Sequence, residues 1–547
     1  MNLGIWILGP ARQGVGLMGE VLVRLFSRSG LHVCASSGSE SPSMGGRVVF
    51  KMTASPDRVH VPGEGCAFLV AFDQGAAREK AGEATGGVLF DGDRVRIEAG
   101  GLRRHAAAIG LACSELKIEV DRWHLAALGA LARLAGMDLG TLDEALRDAR
   151  KGAASDALAA ELSAAKAGFE RAGAASPESG LRLQRSDHRR PALSGGQGLA
   201  LGALASGCKF LAAGPGTESS ATLRWLAPRA HRYGMIVRPA EDAGAAVYAA
   251  IGAGHAGARG LAVVADAASA VEGMEFAQRA EIPVVVASLG AAGSRFCAGA
   301  GCAVLSPAGS TDVLDSTVEA FNLAERFQAP VLLLLDRFLA GETQTVESLR
   351  LDAGIDRGLW AVPADEPGAS AAPGPSAQGP SAEAPFDRYA ETETGVSPRA
   401  VPGHDGLMFL ADARGSADKL DRKGRSLTRG LKPSLLEGPS DAEITLVGCG
   451  CACGPMRHAM RHFNAGGARR VNVFPLRYLR PFPAEEASGP LKSARRLLAV
   501  ESEPTAPLCR LIRGETGVAV ERHCSGPDGG AVDGAECVRR VDEALHD

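Results

Sequence analysis

Ala245-Ala-Val-Tyr-Ala-Ala-Ile-Gly-Ala-Gly-His-Ala-Gly-Ala-Arg259 is a small-residue segment of helical length that runs straight into the apolar stretch Gly260–Ala265. Two more apolar stretches follow, Ile282–Ser288 and Ala329-Pro-Val-Leu-Leu-Leu-Leu-Asp336, the second preceded by the helix-like Ser316-Thr-Val-Glu-Ala-Phe-Asn-Leu-Ala-Glu325. Upstream the alternation is the same. Gly195–Gly207 reads as a helix and opens onto Cys208-Lys-Phe-Leu-Ala-Ala-Gly-Pro-Gly-Thr-Glu-Ser-Ser220. Strands that read as unbroken apolar runs are buried on both faces, as in a parallel sheet covered by helices. The fold class expected is therefore α/β, with mostly parallel sheets, and residues 194–348 form the organising domain.

A chain of 547 residues is too long for one core, and about 100–200 residues per domain suggests three or so. A formal net charge of -4 and a pI near 6.3 give no electrostatic footprint for nucleic acid or for an acidic membrane surface. No apolar run approaches the ~18–20 residues that span a bilayer. Met1–Gly9 reads as a first buried strand, without the basic leader and cleavage site of a signal peptide. The expected location is the cytoplasm. Twelve cysteines without regular spacing do not describe a disulfide scaffold. Cys449, Cys451 and Cys453 alternate in one short run, and thiolates favour zinc or iron–sulfur clusters. Their spacing is not Cys-x-x-Cys, however, and a packed turn that uses cysteine as a small residue is the expectation, with no metal in this chain.

Before the organising domain, Ile5-Trp-Ile-Leu8 is a strand signal that turns through Gly9-Pro-Ala-Arg-Gln-Gly-Val-Gly-Leu-Met-Gly19. Glycines there allow a backbone to approach a phosphate at a helix N-terminus. The spacing is not the dinucleotide fingerprint, and Val33-Cys-Ala-Ser36 offers no acidic residue for a ribose, which argues against a nicotinamide-dependent dehydrogenase. Strand signals at Phe68–Gln74 and Gly87–Asp91 and helix signals at His124–Ala135 and Leu142–Ala149 complete a first domain at 1–175. Residues 176–193 read as an exposed linker. After the organising domain, 349–405 contains a Pro-, Ala-, Gly- and Ser-rich tract, Ala371–Pro385, that cannot bury enough apolar surface to order itself. Asp418–Lys432 is basic and helical in pattern, Ala442–Val447 is a strand signal, and 406–547 forms the last domain.

These pieces, in this order, resemble the alpha subunit of 2-oxoacid:ferredoxin oxidoreductases with a fused gamma domain. The first domain is similar to the gamma domain, with Met44-Gly-Gly46 where the family has Arg-Gly-Gly. The second resembles the domain that binds the pyrimidine of thiamine diphosphate. Tyr389 and Gly395-Val-Ser-Pro-Arg399, closing on Pro402-Gly403, match a family loop beside the active site. Phe474-Pro-Leu-Arg-Tyr-Leu-Arg-Pro-Phe-Pro483, Leu497–Glu501 and Leu511–Gly517 resemble its transketolase C-terminal-like domain.

The resemblance implies roles residue by residue. Gly214-Pro-Gly-Thr-Glu218 stands where the family carries Tyr-Pro-Ile-Thr-Pro, so Pro215 and Thr217 are the surviving cofactor contacts. The family's pyrimidine-site glutamate falls on Ala243, and Glu241 and Asp242, just upstream, are the carboxylates a short slip would bring into place. A plain helix N-terminus, where negative charge is favoured, accounts for both equally. The arginine that pairs with the substrate carboxylate falls on Ala291, with Arg295 the nearest replacement. The family's Ser-Gly-Pro-Gly segment is replaced by Ala265-Asp-Ala-Ala-Ser269. Ser397 and Arg399 are the best-preserved polar groups expected near the pocket. A separate beta subunit would carry the cofactor's diphosphate, Mg2+ and an iron–sulfur cluster. The complex would oxidatively decarboxylate a 2-oxoacid to acyl-CoA and pass electrons to ferredoxin. The altered positions leave a second reading open, a non-catalytic scaffold or regulatory subunit with the same fold.

Overall fold

The computed structural model describes residues 2–39, 46–97, 107–175, 183–290, 302–361, 388–401, 416–526 and 530–546. The chain forms two compact units, Met1–Leu193 with Glu342–Leu349, and Ser194–Gly341 with Arg350–Asp547. Arg295, Ala291, Met44 and the Ala371–Pro385 tract lie outside the described residues.

In the first unit, the strand Leu3–Pro10 pairs in parallel with Phe68–Ala71, which continues through Gly87–Phe90 to Ala107–Gly110. On its other side it pairs antiparallel with Arg47–Ser55, then His32–Ser39, then Thr343–Thr345. Alternation along the strand divides the core. Leu3, Ile5 and Ile7 pack with Val15, Met18 and Leu22 of the Val15–Arg28 helix, whereas Leu8 packs with Leu69 and Val88 on the other face. Two glycines of the first turn make room for the protein's own rings. A Cβ on Gly9 would stand 2.5 Å from the Phe72 ring, and one on Gly14, whose φ is 89°, would stand 2.5 Å from the His124 ring. That packing accounts for Gly9 and Gly14, whereas Gly16 has nothing within 4 Å.

In the second unit a seven-stranded sheet runs in the order Tyr478–Arg480, Ala303–Leu305, Pro330–Leu334, Val284–Ser288, Gly260–Val264, Phe210–Ala213 and Ile236–Pro239. All neighbours are parallel except Tyr478–Arg480, which pairs antiparallel with Ala303–Leu305. The three apolar runs picked out from the sequence are Gly260–Val264, Val284–Ser288 and Pro330–Leu334, buried along their whole length. A four-stranded parallel sheet, Val471–Pro475, Ile444–Gly448, Leu497–Glu501 and Arg522–Ser525, completes the unit. One apolar cluster joins the two sheets, with Val264, Val286 and Leu332 on one side and Val447, Phe474 and Ala499 on the other. The fold is α/β with mostly parallel sheets. Among the described residues no helix is long and apolar enough to cross a membrane.

Candidate functional site

Parallel strands that all run one way give their sheet two unlike edges. In open α/β sheets ligands bind outside the carboxyl ends, where loops and helix N-termini converge. At that edge of the seven-stranded sheet, Phe210–Ala213 ends in Gly214, whose N–H donates to the Val263 carbonyl at 2.9 Å, while the Ala240 N–H donates to the Ala213 carbonyl at 2.8 Å. This pinning brings the Gly214 turn against the start of the Ala243–His255 helix. A Cβ built on Gly214 would lie 3.2 Å from the Ala243 Cα. The two positions where the sequence departs from the pattern it resembles are therefore spatial neighbours, both reduced to almost no side chain.

Asp242 is the N-cap of that helix, its Oδ1 accepting from the Ala245 N–H at 2.7 Å. One carboxylate oxygen is thus committed to the backbone. Glu241 is exposed beside it, as are Pro215 and Gly216 across the turn. Thr217 opens the Thr217–Ala230 helix, and its side chain is outside the described residues, as is Arg295. Four of the expected residues, Pro215, Thr217, Glu241 and Asp242, thus come together at the carboxyl edge.

The cysteine turn lies at the same edge. Asp336, which follows Pro330–Leu334, accepts from the Leu339 N–H at 2.7 Å and from the Cys451 N–H at 3.0 Å. Gly450, with φ 59°, leaves room for that carboxylate. Cys453 packs in the core of the four-stranded sheet and Cys449 against the cluster between the sheets. Burial raises the Cys449 thiol, with Cys453 adding to the shift, and pushes Cys453 up to about 12.

Ser397 and Arg399 sit elsewhere. Their segment packs on Glu281, Gly257 and Gln328, all of which precede parallel strands, at the amino edge of the sheet. From Arg259 to Ala265 a strand covers roughly 20 Å at about 3.3 Å per residue. The structure therefore separates Ser397 and Arg399 from the Gly214–Ala243 contact within one chain. Both are buried in ion and hydrogen-bond networks. The Ser397 hydroxyl donates to the Arg388 carbonyl at 2.7 Å and accepts from Lys419 Nζ at 2.9 Å. Arg399 Nη2 meets Glu325 Oε1 at 2.7 Å, and its guanidinium lies 4.1 Å from the Trp360 ring centroid.

Sequence reading missed the residues these two depend on. Glu281 is fully buried among Lys419 at 2.7 Å, Lys423 at 2.8 Å and Arg388 at 3.4 Å. Burial alone would raise its carboxyl, but Lys423 and Lys419 hold it below the usual carboxylate range. Burial in turn pushes Lys423 down to about 8 and Arg399 down to about 10. The available signal was the i, i+4, i+8 spacing of Lys419, Lys423 and Leu427, which are the buried residues of the Ala417–Arg429 helix. Basic side chains on a polar helix read as its wet face.

Comparison with known proteins gives this architecture a lineage. The domain model of the pyruvate ferredoxin/flavodoxin oxidoreductases matches residues 4–171, and that of their thiamine diphosphate-binding domain matches 201–385. Subunit alpha of 2-oxoacid:ferredoxin oxidoreductase 2 from Aeropyrum pernix is 27% identical over 51% of this chain and 47% of its own length. The 2-oxoglutarate synthase subunit KorA of Archaeoglobus fulgidus is 30% identical over 28% of this chain and 50% of its own length. The matched stretch thus spans about half of either relative. Among solved structures, 2-oxoglutarate:ferredoxin oxidoreductase from Magnetococcus marinus, with 2-oxoglutarate, coenzyme A and succinyl-CoA bound, shares the fold. Its TM-score is 0.85, at 22% identity, covering 100% of this chain and 99% of that one. With two domain models of one family in tandem over well over half of its length, the chain belongs to the pyruvate ferredoxin/flavodoxin oxidoreductase family.

Proposed function

We propose that this chain is the alpha subunit of a heteromeric, thiamine diphosphate-dependent 2-oxoacid:acceptor oxidoreductase that decarboxylates a 2-oxoacid to an acyl-CoA and passes the electrons to ferredoxin. The observation that carries the reading is the match of a thiamine diphosphate-binding domain to the sheet at whose carboxyl edge Gly214 packs against Ala243. We divide the chain into a gamma-type domain at 1–175, a pyrimidine-binding domain at 194–348 and a transketolase C-terminal-like domain at 406–547. A beta subunit supplies the diphosphate site, Mg2+ and an iron–sulfur cluster in this reading. Twelve cysteines without regular spacing suit a reducing cytoplasm.

In this reading the donor set serves a pyrimidine. Gly214 packs on the Ala243 backbone, and Glu241, exposed beside that contact, offers a carboxylate to a ring nitrogen. The second oxygen of Asp242 lies on the same helix end. Thiamine diphosphate, when bound, would supply the carbon nucleophile and the electron sink that decarboxylation of a 2-oxoacid needs. This chain's part is to hold the ring, through Pro215 and Thr217, and to take a proton-bearing ring nitrogen against Glu241 or Asp242. Arg295 is the group we assign to the substrate carboxylate, as the natural bidentate partner. Ser397 and Arg399 serve the site at a distance, by fixing the Tyr389–Val401 segment to the sheet.

Ala243 favours a second reading, a non-catalytic scaffold, because alanine cannot do acid–base work. Reconstitution with the beta subunit, thiamine diphosphate, Mg2+ and CoA decides between them. Anaerobic reduction of a viologen dye that depends on a 2-oxoacid, and is lost in a Glu241→Ala/Asp242→Ala double variant, supports the enzyme. A stable complex without turnover on pyruvate, 2-oxoglutarate, branched-chain or aryl 2-oxoacids overturns it in favour of the scaffold.

A further inference from the structure

Two buried ion clusters converge on one pocket at the amino edge of the seven-stranded sheet. Glu281 faces Arg388, Lys419 and Lys423, and Glu325 faces Arg259 at 3.4 Å, Arg357 at 3.0 Å and Arg399 at 2.7 Å. Each carboxylate therefore meets three cations, and the region carries a surplus of positive charge. The neighbouring acids do not remove it. Asp356 pairs with Arg326 at 2.7 Å, and Glu391 is exposed and pairs with Arg422. One arginine from each cluster, Arg388 and Arg399, lines the pocket, with His255, Trp360, Ala400 and Val401. Arg399 is 3% exposed, and its Nε–H has no acceptor among the described residues. A buried donor left without an acceptor costs stability, and an ionised donor costs more.

We propose that this pocket binds a small oxyanion, a carboxylate or a phosphate group, held by the guanidinium groups of Arg399 and Arg388. Arginine's planar fork matches either anion with two parallel N–H donors. Trp360, stacked on Arg399, keeps that plane fixed. Glu281 also lines the wall, but an ammonium faces each of its oxygens. The carboxyl end of the Ala243–His255 helix, whose last turn lines the pocket, works against an anion, and the six cations of the two clusters outweigh it. The site lies at the edge opposite the Gly214–Ala243 contact, so it is distinct from the proposed pyrimidine site.

The test is thermal unfolding of the full chain across a concentration series of inorganic phosphate and, separately, of malonate, with chloride holding ionic strength constant. Ligand that binds only the folded state raises the midpoint in a saturable, logarithmic manner. Saturation with phosphate alone identifies a phosphate site, and saturation with malonate, alone or with phosphate, a carboxylate-type site; either supports the proposal. Arg399→Lys is expected to weaken the apparent affinity by roughly tenfold or more, because it loses the fork while keeping the charge. Ala400→Glu is the second variant, independent of the Glu325 pair. It places a carboxylate on the pocket wall and is expected to abolish the response. Kosmotropic anions also stabilise proteins generally, by exclusion from the surface. A rise without saturation, or one of equal size in wild type and Ala400→Glu, overturns the site.

Discussion

The Glu281 carboxylate stands 2.7 Å from the Lys419 ammonium, and neither side chain has any exposure to solvent. Glu281 occupies the turn between the Val271–Arg279 helix and the Val284–Ser288 strand, in a left-handed conformation with φ 52° that a non-glycine residue adopts at a cost of about 1–2 kcal/mol. The ion cluster holds it there. Lys419 and Lys423 reach it from the Ala417–Arg429 helix, and Arg388 binds its backbone carbonyl at 2.7 Å. Segments far apart in sequence are thus tied to one turn through a single carboxylate.

Removing that carboxylate strands three cations. Glu281→Gln keeps the shape and leaves Lys419, Lys423 and Arg388 buried without a counter-charge. The expected loss is about 3–5 kcal/mol, the usual cost of breaking a buried pair from one side. Urea unfolding of the variant measures it. Glu281→Gln combined with Lys419→Met is expected to lose less than the two single changes added together, because the second removes a charge that the first left unpaired. Additive losses would show that the pair is not coupled.

Lys423 gives the cluster a pH signature. Its folded pKa is lowered from 10.5 to about 8, by burial first and against the pull of Glu281. Between these two values the unfolded chain binds more protons at this group than the folded chain does, so its contribution to stability rises with pH. Below about 8 both states are protonated and the slope vanishes. Lys419 and Arg388, which face the same carboxylate, are lowered too and act in the same direction at higher pH. Buried thiols raised toward 12, Cys453 among them, oppose it above about 9. The measurement is therefore a difference. The unfolding midpoint of wild type minus that of Lys423→Met is expected to climb from pH 8 to pH 10, and a flat difference would show that Lys423 titrates normally.

At the carboxyl edge the two neighbouring acids separate by experiment. Asp242→Ala removes the N-cap of the Ala243–His255 helix and is expected to cost about 1 kcal/mol. Glu241→Ala, at an exposed position, is expected to stay within about 0.5 kcal/mol. In the reconstituted complex the order reverses under the proposed function, since Glu241 is the carboxylate not engaged in the cap. A Glu241→Ala variant with unchanged stability and at least about a hundredfold lower turnover fits general acid–base work. Equal turnover in wild type and variant would take Glu241 out of the site.

Much of this architecture was legible because burial on both faces writes itself into a strand as an apolar run. Gly260–Val264, Val284–Ser288 and Pro330–Leu334 are such runs, and the small-residue helices between them fit closely over the sheet. Gly214 and Ala243 were visible as departures in two separate segments; only the fold shows that they touch. The amino-edge clusters were not legible. Glu281, Glu325 and Lys419 look like surface residues in sequence, and their burial follows from long-range pairing that no local pattern encodes. In the glycine-rich first turn the sequence showed only that the dinucleotide spacing is missing; the fold adds that Gly9 and Gly14 accommodate Phe72 and His124.

The first unit contains a backbone contact that admits no side chain. The helices Trp123–Leu134 and Ser155–Ala175 cross at Gly129 and Gly168. A Cβ on Gly129 would stand 1.8 Å from the Ala165 carbonyl oxygen, and one on Gly168 1.9 Å from that of Ala126. Both neighbours are backbone, so neither can swing aside as a side chain would. In an exposed helix, glycine to alanine stabilises by about 1 kcal/mol. Here the sign reverses, because the added methyl must push two helices apart in a close-packed core. Gly168→Ala is expected to destabilise by about 1–3 kcal/mol, the range of overpacked cores, and Gly129→Ala by a similar amount. The double variant should cost less than the sum of the two, since the first methyl already opens the gap the second needs. Gly152, which has nothing within 4 Å but a φ of 97°, is the control for strain without crowding. Denaturant midpoints of the four proteins test this, and a stabilised Gly168→Ala would mean that the helices are not in backbone contact.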